Sequence, residues 1–449
     1  MSRGGQNHGV AGLIILCTLG LVSLGHAQMG GGMGGGMGSV PGTAYGGATD
    51  PSSLQLGEGF RIIPSVTVGE RYDSNVFFAP KTPGLKRDDV VTTVAPQVRG
   101  LYAGDLYTVN ATIGAIGEYY AQNSGLNYVG TNAGIFLDMS RLASRLREGT
   151  RLTVSDTYMY TPQPPAFLTG NLEGTGAHPF FTGIQAARVN MQSNTYNANI
   201  STPLNRVVNL TGSYASGFIK FGESKTAQRG TLLNMTYQTY TAGLSAATSA
   251  QDTLSLNFIS SEFDSGFQGS FTTRGGVAGW SHIFSPTVTL TSNAGVSLID
   301  GTVAGGQSTT AATSAVAPKG NLALLWKDMT TAVTFTYSVG ITPTFIGESQ
   351  TVLSHVVSFV LTQQMGSPQL LGTAGLNYGH GSQFGSSSTP GSAFSFTTYG
   401  GVGGVTYKFT PKTFLSLTYG YSNFDQGFGV QGYRFDRHVA QMSITQAFY

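Results

Sequence analysis

The feature that most constrains the fold is an alternation of apolar and small polar residues with a period of two. In AVTFTYSVGI (332–341) every odd-numbered position from Val333 to Ile341 is apolar or aromatic, whereas the even-numbered positions hold Ala, Thr, Ser and Gly. Because successive side chains of a β-strand point to opposite faces, the pattern predicts strands with one apolar and one small polar face. The same alternation runs through FRIIPSVTV (60–68), TVNATIGAIGEYY (108–120), VVNLTGSY (207–214), DTLSLNF (252–258) and FLSLTYGYSN (414–423).

The polar faces of these strands carry few charges. Charged residues make up 10% of the chain, against about 25% in an ordinary globular protein. A half-buried soluble sheet usually places Lys and Glu on its solvent face, so these mostly uncharged polar faces argue against one. The low charge of the whole chain predicts that something other than water faces much of the protein. The 11% share of aromatic residues excludes an intrinsically disordered chain.

Residues 1–27 predict a cleaved secretory signal peptide. Arg3 supplies the basic start, residues 10–25 the apolar core and GHA (25–27) a small-x-small cleavage site. An uncleaved membrane anchor is the rival interpretation. Cys17 is the only cysteine, so the mature chain would have neither disulfides nor thiolate chemistry. It would keep 22 basic and 21 acidic residues, a balance that predicts no nucleic-acid partner.

The next segment, residues 28–58, is predicted to be flexible and periplasmic. Its MGGGMGGGMG run (29–38) spaces three methionines by four residues, and thioethers bind Cu(I). A Gly-rich chain has no fixed geometry to hold such ligands, so a tether is favoured over a metal site. Neither a metal nor a cofactor is predicted.

Short turns divide the alternating segments at a regular interval. From Pro286 onward they lie 40–43 residues apart, and the 83-residue gap between Pro203 and Pro286 holds one more turn in SAATSAQD (245–252). Each interval fits a strand, a long loop, a strand and a tight turn. The other turns are STPLN (201–205), FSPTV (284–288), WKDMT (326–330), GSPQL (366–370) and FTPKT (409–413), with earlier ones near Ala103–Asp105 and Arg145–Gly149.

This interval is also that of a β-propeller blade, which needs four strands in each repeat. Two long alternating runs per repeat, without WD or kelch signatures, favour a membrane β-barrel, because lipid does not tolerate open sheet edges. We therefore predict an all-β, transmembrane, up-and-down antiparallel β-barrel over residues 59–449, with eight tight turns, nine longer connections and eighteen strands. Sixteen strands is the alternative, because region 121–190 is poorly patterned. SRLASRLREG (140–149) in that region is compatible with one helical turn.

The first predicted hairpin resembles a known family. FRIIPSVTVGERYDSNVFFAP (60–80), followed by DDVVTTVAPQVRGLY (88–102), is similar to the opening hairpin of an outer-membrane β-barrel porin family often found with exopolysaccharide production and export systems. YDSNVF (72–77) carries most of the likeness. The resemblance implies the outer membrane of a Gram-negative bacterium, a porin-like shape and a link to polysaccharide export components, but it assigns no functional residues.

A wide barrel leaves a water-filled interior. The sequence therefore predicts a porin-like channel for small hydrophilic solutes, with a non-conducting structural or export-associated barrel as the alternative. HExxH, P-loop and GxSxG motifs are absent, so no enzyme is predicted. A Ser, a His and an acid from distant strands, with His282 or His355 as the base, would escape a sequence search.

Candidate pore-lining residues are the charged and amide side chains on polar parity. Rings and ladders of charge bias ions in wide pores. The rival interpretation is that such charges only hydrate the wall and pair with one another. The candidates are Arg61, Arg71, Asp73, Asn75, Glu118 and Arg151.

The connection TPQPPAFLTGNLEGTGAHPFFTGIQ (161–185) is the longest between predicted strands. Long loops without secondary structure are usually functional or mobile. We predict either that it folds inward and constricts the pore or that it forms an exposed cap. The constriction candidates are Phe167, His178, Phe180 and Phe181.

VAQMSITQAFY (439–449) predicts a last strand that closes the barrel against the first. Ile444 and Phe448 share the apolar parity that faces outer-membrane lipid, whereas Tyr449 falls on the polar parity. The terminal aromatics resemble the signal read by the barrel-assembly machinery. Ile444, Phe448 and Tyr449 are therefore assembly candidates, with Phe448 as the main residue.

Overall fold

The computed structural model describes residues 54–55, 59–81, 84, 86–161, 190–222, 234–265, 269–305, 308–310, 315–343, 351–384, 394–428 and 431–448.

Eighteen long strands make up most of the described chain. In chain order they are β1 Phe60–Asp73, β2 Asp89–Ala103, β3 Thr108–Tyr120, β4 Tyr128–Asp138, β5 Arg151–Thr161, β6 Met191–Pro203, β7 Val208–Phe221, β8 Met235–Ala247, β9 Asp252–Asp264, β10 Gly269–Ser285, β11 Val288–Gly305, β12 Ala315–Lys327, β13 Thr331–Pro343, β14 Thr351–Gln364, β15 Leu370–Gln383, β16 Phe394–Lys408, β17 Thr413–Phe428 and β18 Gln431–Ala447. Two shorter strand segments are Leu54–Gln55 and Ser308–Thr310, and the helical elements are a 3₁₀ turn at Ser124–Leu126 and helix α1 at Ser140–Leu146.

The sheet closes on itself. Each strand pairs antiparallel with the next, and β18 pairs with β1 from Ser65 opposite Ala447 to Asp73 opposite Val439. The predicted all-β antiparallel barrel of eighteen strands is therefore confirmed, and the alternative of sixteen is wrong. The weakly patterned region 121–190 supplies β4 and β5, whose alternation is less regular than that of the other strands.

The seam between β1 and β18 is staggered. Because β18 ends at Ala447, the first residues of β1 have no partner from β18, and Leu54–Gln55 pairs with Arg61 and Ile62 instead. The Phe448 N–H donates to the Pro64 carbonyl at 2.8 Å, which extends the seam by one bond. The backbone edge of the first strand is thus covered on both sides.

Connections differ between the two barrel ends. The eight predicted tight turns join strands at the end where β1 begins, the periplasmic end in barrels of this class. The turn between β4 and β5 contains α1, so the helical option for residues 140–149 is correct, and the Asp138 carboxylate accepts the Ser140 N–H at 2.8 Å. The nine outer connections are not uniformly long, since only two residues separate β17 from β18. Neither helical element in the described ranges is long and apolar enough to cross a membrane.

The two faces of the barrel follow the alternation. Outward positions expose large apolar side chains, such as Leu256 and Leu376, each 63% exposed, and Phe258, 54% exposed. Inward positions carry small polar side chains, such as Thr291 and Ser416. A closed barrel with an apolar outer belt satisfies every backbone group inside lipid, and barrels of this kind span the outer membrane of Gram-negative bacteria.

Candidate functional site at the outer mouth of the barrel

Four of the six pore-lining candidates meet at the outer end of β1 and β3. Arg71 and Asp73 occupy successive inward positions of β1, and Glu118 lies on the inward face of β3. All are buried: Arg71 is 8% exposed, Asp73 and Glu118 are 1% exposed, and Asn75 is fully buried.

The structure does not bring the other two candidates to this cluster. Arg61 lies at the beginning of β1 and Arg151 at the beginning of β5, both at the periplasmic end. Arg151 is exposed.

Arg71 and Glu118 form a bidentate ion pair across three strands. The two guanidinium Nη atoms donate to the two carboxylate oxygens at 2.7 and 2.9 Å. The Tyr120 hydroxyl donates to the same carboxylate at 2.5 Å. Fork-to-fork geometry of this kind combines charge with a fixed orientation, so the pair holds β1 and β3 together through the inward side.

Asp73 is paired in the same way with Arg437 of β18, across the closing seam. Arg437 Nε donates to one Asp73 oxygen at 2.8 Å and Arg437 Nη2 donates to the other. The Asn75 backbone N–H adds a bond to Asp73 at 3.0 Å. The Arg437 guanidinium lies over the Phe78 ring, 4.4 Å from its centroid. Arg437 is 1% exposed, so this contact is shielded from water.

The chain that follows β1 turns inward and covers both ion pairs. Residues 74–81, here called the inward loop, bury Val76 completely and leave Phe78 only 1% exposed. Val76 packs with Val91 and Tyr120 on the inward faces of β2 and β3. The Asn75 side chain fixes the turn, because its amide donates to the Ala79 carbonyl at 2.9 Å and accepts the Ala79 N–H at 3.2 Å.

Two further features hold the inward loop in place. Phe78 has φ of 52°, a conformation that a bulky residue adopts only when its surroundings impose it. Ser74 continues the β1–β18 ladder, since its N–H donates to the His438 carbonyl at 3.0 Å and its hydroxyl accepts the His438 N–H at 2.8 Å.

Asp89, at the start of β2, ties a second outer connection to the same region. Its carboxylate accepts the backbone N–H groups of Gln122 and Asn123 at 3.0 and 2.8 Å and the Asn123 side-chain amide at 2.9 Å. Asp89 is fully buried. The outer mouth is therefore filled on the side of β1–β4.

The remaining inward charges are mostly basic. By strand parity, four acidic residues of the eighteen strands face inward. Asp73 and Glu118 belong to the ion pairs, and Asp89 and Asp138 accept backbone N–H groups. By the same parity, the inward basic residues are Arg61, Arg71, Arg99, Arg151, Lys319, Lys327, Lys408 and Arg437. Because the two ion pairs cancel, the inner wall carries an excess of positive charge.

An apolar cluster lies inside the mouth on the other side. Met191, Ile219, Met235, Tyr237 and Phe263 are each at most 4% exposed, and Met159, Phe221 and Phe271 pack against them. The buried residues of this cluster lie on the inward parity of β6–β9. Met191 of the cluster is the first residue of β6 and pairs with Thr161, the last residue of β5, so the cluster lies beside the start of connection 161–185. The constriction candidates Phe167, His178, Phe180 and Phe181 lie outside the described residues.

Sequence reasoning missed Arg437, Phe78, Asp89 and the apolar cluster. A signal for Arg437 was present, because an arginine on polar parity of the last strand needs a partner when buried. The apolar cluster interrupts the alternation at the outer ends of β7 and β9, where Ile219 and Phe263 replace polar residues.

The closing strand places the assembly candidates on the outer surface. Ile444 is 47% exposed and Phe448 is 51% exposed, whereas Ser443 and Thr445 are buried inside. Thr445 and Thr67 hydroxyls lie 2.8 Å apart across the seam. Tyr449 lies outside the described residues.

His282, one of the two histidines considered as a catalytic base, is bonded to an acid but not to a nucleophile within the described residues. His282 Nδ1 lies 2.7 Å from Asp252, and the Ser249 hydroxyl donates to that same carboxylate at 2.8 Å rather than to the imidazole. Trp280 Nε1 donates to Asp252 at 3.0 Å. The carboxylate is thus the common acceptor, and the nucleophile-to-base bond of a hydrolytic triad is not formed among these residues.

The fold is similar to those of several solved outer-membrane proteins. No protein-family model and no curated protein matches the chain. The outer membrane protein OpdK of Pseudomonas aeruginosa is 12% identical, with a TM-score of 0.45 and coverage of 86% of this chain and 99% of that chain. OccK2 (OpdF) of the same species is 10% identical, with a TM-score of 0.43 and coverage of 86% and 98%. OccAB4 of Acinetobacter baumannii is 12% identical, with a TM-score of 0.42 and coverage of 88% and 100%.

Proposed function

We propose that this protein is an outer-membrane channel for the passive passage of small hydrophilic solutes. The observation that carries the proposal is the closed ring of eighteen strands with small polar side chains on its inner face. A ring of this size is too wide to be filled by its own side chains and encloses water. A passing solute would meet hydroxyl, amide and glycine surface along much of β11–β17 and the apolar cluster at the outer ends of β6–β10.

The same wall supports a preference for anions. The surplus of inward basic residues raises the local concentration of negative ions in a water-filled passage with low-dielectric walls. Lys319 and Lys327 of β12 are the inward basic residues furthest around the ring from the ion pairs; Lys319 lies within the strand, whereas Lys327 is its last residue, at the periplasmic end. We therefore expect weak anion selectivity rather than a dedicated binding site.

The channel proposal is tested by conductance in a planar lipid bilayer. Folded full-length protein is expected to give stable ion-current steps. When neutral sugars of increasing size are added, those that enter the pore should lower these steps. A folded barrel that stays silent would favour the alternative, a structural or export-associated barrel. That alternative has one observation in its favour, since the inward loop and the apolar cluster occupy parts of the outer mouth.

A link to exopolysaccharide export, with export components as partners, rests on the resemblance of residues 60–80 alone. Co-purification of such components with the barrel from native membranes would support it. Their absence from crosslinked native membranes would remove it while leaving the channel proposal intact.

A further inference from the structure

Two histidines stand directly opposite each other on the outer surface of the barrel. His355 of β14 and His380 of β15 are cross-strand partners. They share the outward parity of Leu376 and Tyr378, which are 63% and 46% exposed. His380 is exposed and His355 is half-buried. Both lie within four residues of the outer ends of their strands, where water reaches the barrel surface.

Each imidazole is held by a hydroxyl group from a flanking strand. His355 Nδ1 lies 2.9 Å from the Tyr337 hydroxyl of β13, and His380 Nδ1 lies 3.1 Å from the Thr397 hydroxyl of β16. The Nε2 atoms take part in no hydrogen bond or ion pair within the described ranges. A hydroxyl oxygen accepts from Nδ1–H, and in that tautomer the Nε2 lone pair is free.

We propose that His355 and His380 together bind one divalent first-row transition ion, represented by Zn²⁺, through their two Nε2 atoms. Directly opposed residues of an antiparallel pair have Cβ atoms about 4.5–5.5 Å apart, a separation from which two imidazoles can converge on one ion. Ligating histidines usually donate the other ring N–H to an oxygen that fixes the ring. Tyr337 and Thr397 stand where those oxygens are needed.

The chemistry selects the class of ion. Imidazole nitrogen suits Zn²⁺, Ni²⁺ and Cu²⁺, whereas Mg²⁺ and Ca²⁺ prefer oxygen. Among the described residues no group of three or more potential ligands is clustered. Water therefore completes the coordination, and the site is exchangeable rather than structural.

The test is calorimetric titration of the folded full-length protein in detergent with ZnCl₂, and with MgCl₂ for comparison. We expect Zn²⁺ to bind and Mg²⁺ not to bind. His355→Ala and His380→Ala should each weaken Zn²⁺ binding by about tenfold or more, and the double variant should lose little beyond either single one. Tyr337→Phe removes only the orienting hydroxyl and should weaken binding by about tenfold, in line with other outer-shell partners.

His438→Ala is the matched control. His438 also faces outward with Nδ1 2.8 Å from a tyrosine hydroxyl, that of Tyr419, but its cross-strand partner is Tyr421 rather than a histidine. Its replacement should leave the affinity of the His355–His380 site unchanged. Heat-induced mobility shifts on gels establish that every variant is folded. If the double variant binds Zn²⁺ as tightly as the parent, or if Mg²⁺ competes equally, the proposal is wrong.

Discussion

Arg437 in the last strand donates two hydrogen bonds to the carboxylate of Asp73 at the end of the first strand, 364 positions earlier in the chain. Both side chains are 1% exposed. The pair therefore closes the outer end of the seam that makes the sheet a ring.

Arg437→Ala is expected to destabilise the barrel by about 3–5 kcal/mol, because it leaves the Asp73 carboxylate buried without its partner. Denaturant-dependent loss of the folded gel band in detergent measures the change. Arg434→Ala is the control. Arg434 lies 4.0 Å from Asp425 at an exposed position of the same strand, with side-chain exposures of 68% and 51%. Its loss should cost at most about 1 kcal/mol. Equal effects of the two variants would mean that the Asp73 pair has no special role.

Lys319→Gln is expected to lower the anion preference of the channel. A unit charge about 7 Å from a passing ion in water contributes about 0.6 kcal/mol, which corresponds to a roughly two- to threefold change in the permeability ratio. The reversal potential in a KCl gradient measures it, and Lys319→Glu should shift it further in the same direction. Lys220, which lies 5.0 Å over the Phe218 ring on the outward parity, provides the control. A larger shift from Lys220→Gln would place the selectivity outside the lumen.

Phe448→Ala is expected to slow barrel assembly more than deletion of Tyr449. Phe448 lies on the outer surface, 51% exposed, and its N–H extends the seam to Pro64. The fraction of heat-modifiable protein in outer membranes after a pulse of expression measures assembly. If deletion of Tyr449 blocks assembly and Phe448→Ala does not, the terminal register is shifted by one residue.

Deletion of residues 164–182 is expected to raise single-channel conductance. The apolar cluster around Ile219 and Phe263 lies inside the outer mouth, next to the strands that this connection joins. An inward fold of the connection against that cluster would narrow the pore. Unchanged conductance in a folded barrel would leave the exposed cap as the correct interpretation.

The sequence by itself predicted the strands and their faces and favoured eighteen strands over sixteen. Side-chain parity is a local property. The odd-numbered residues from Val333 to Ile341 therefore share one face of their strand and the even-numbered residues share the other, whatever the neighbouring strands are. Turns at regular intervals favoured eighteen strands, and the structure rules out the alternative of sixteen. The same parity put Arg71, Asp73 and Glu118 on the inner face.

Tertiary structure alone decided which residues meet. The pairing of Asp73 with Arg437 depends on ring closure, and the opposition of His355 to His380 depends on the register set by the turn at residues 365–369. A shift of one residue in that register would separate the histidines onto opposite faces without changing either strand's own pattern. The inward loop also depends on tertiary structure. Val76 packs against residues of β2 and β3 and Phe78 against Arg437 of β18, and local sequence patterns do not show that these strands come together.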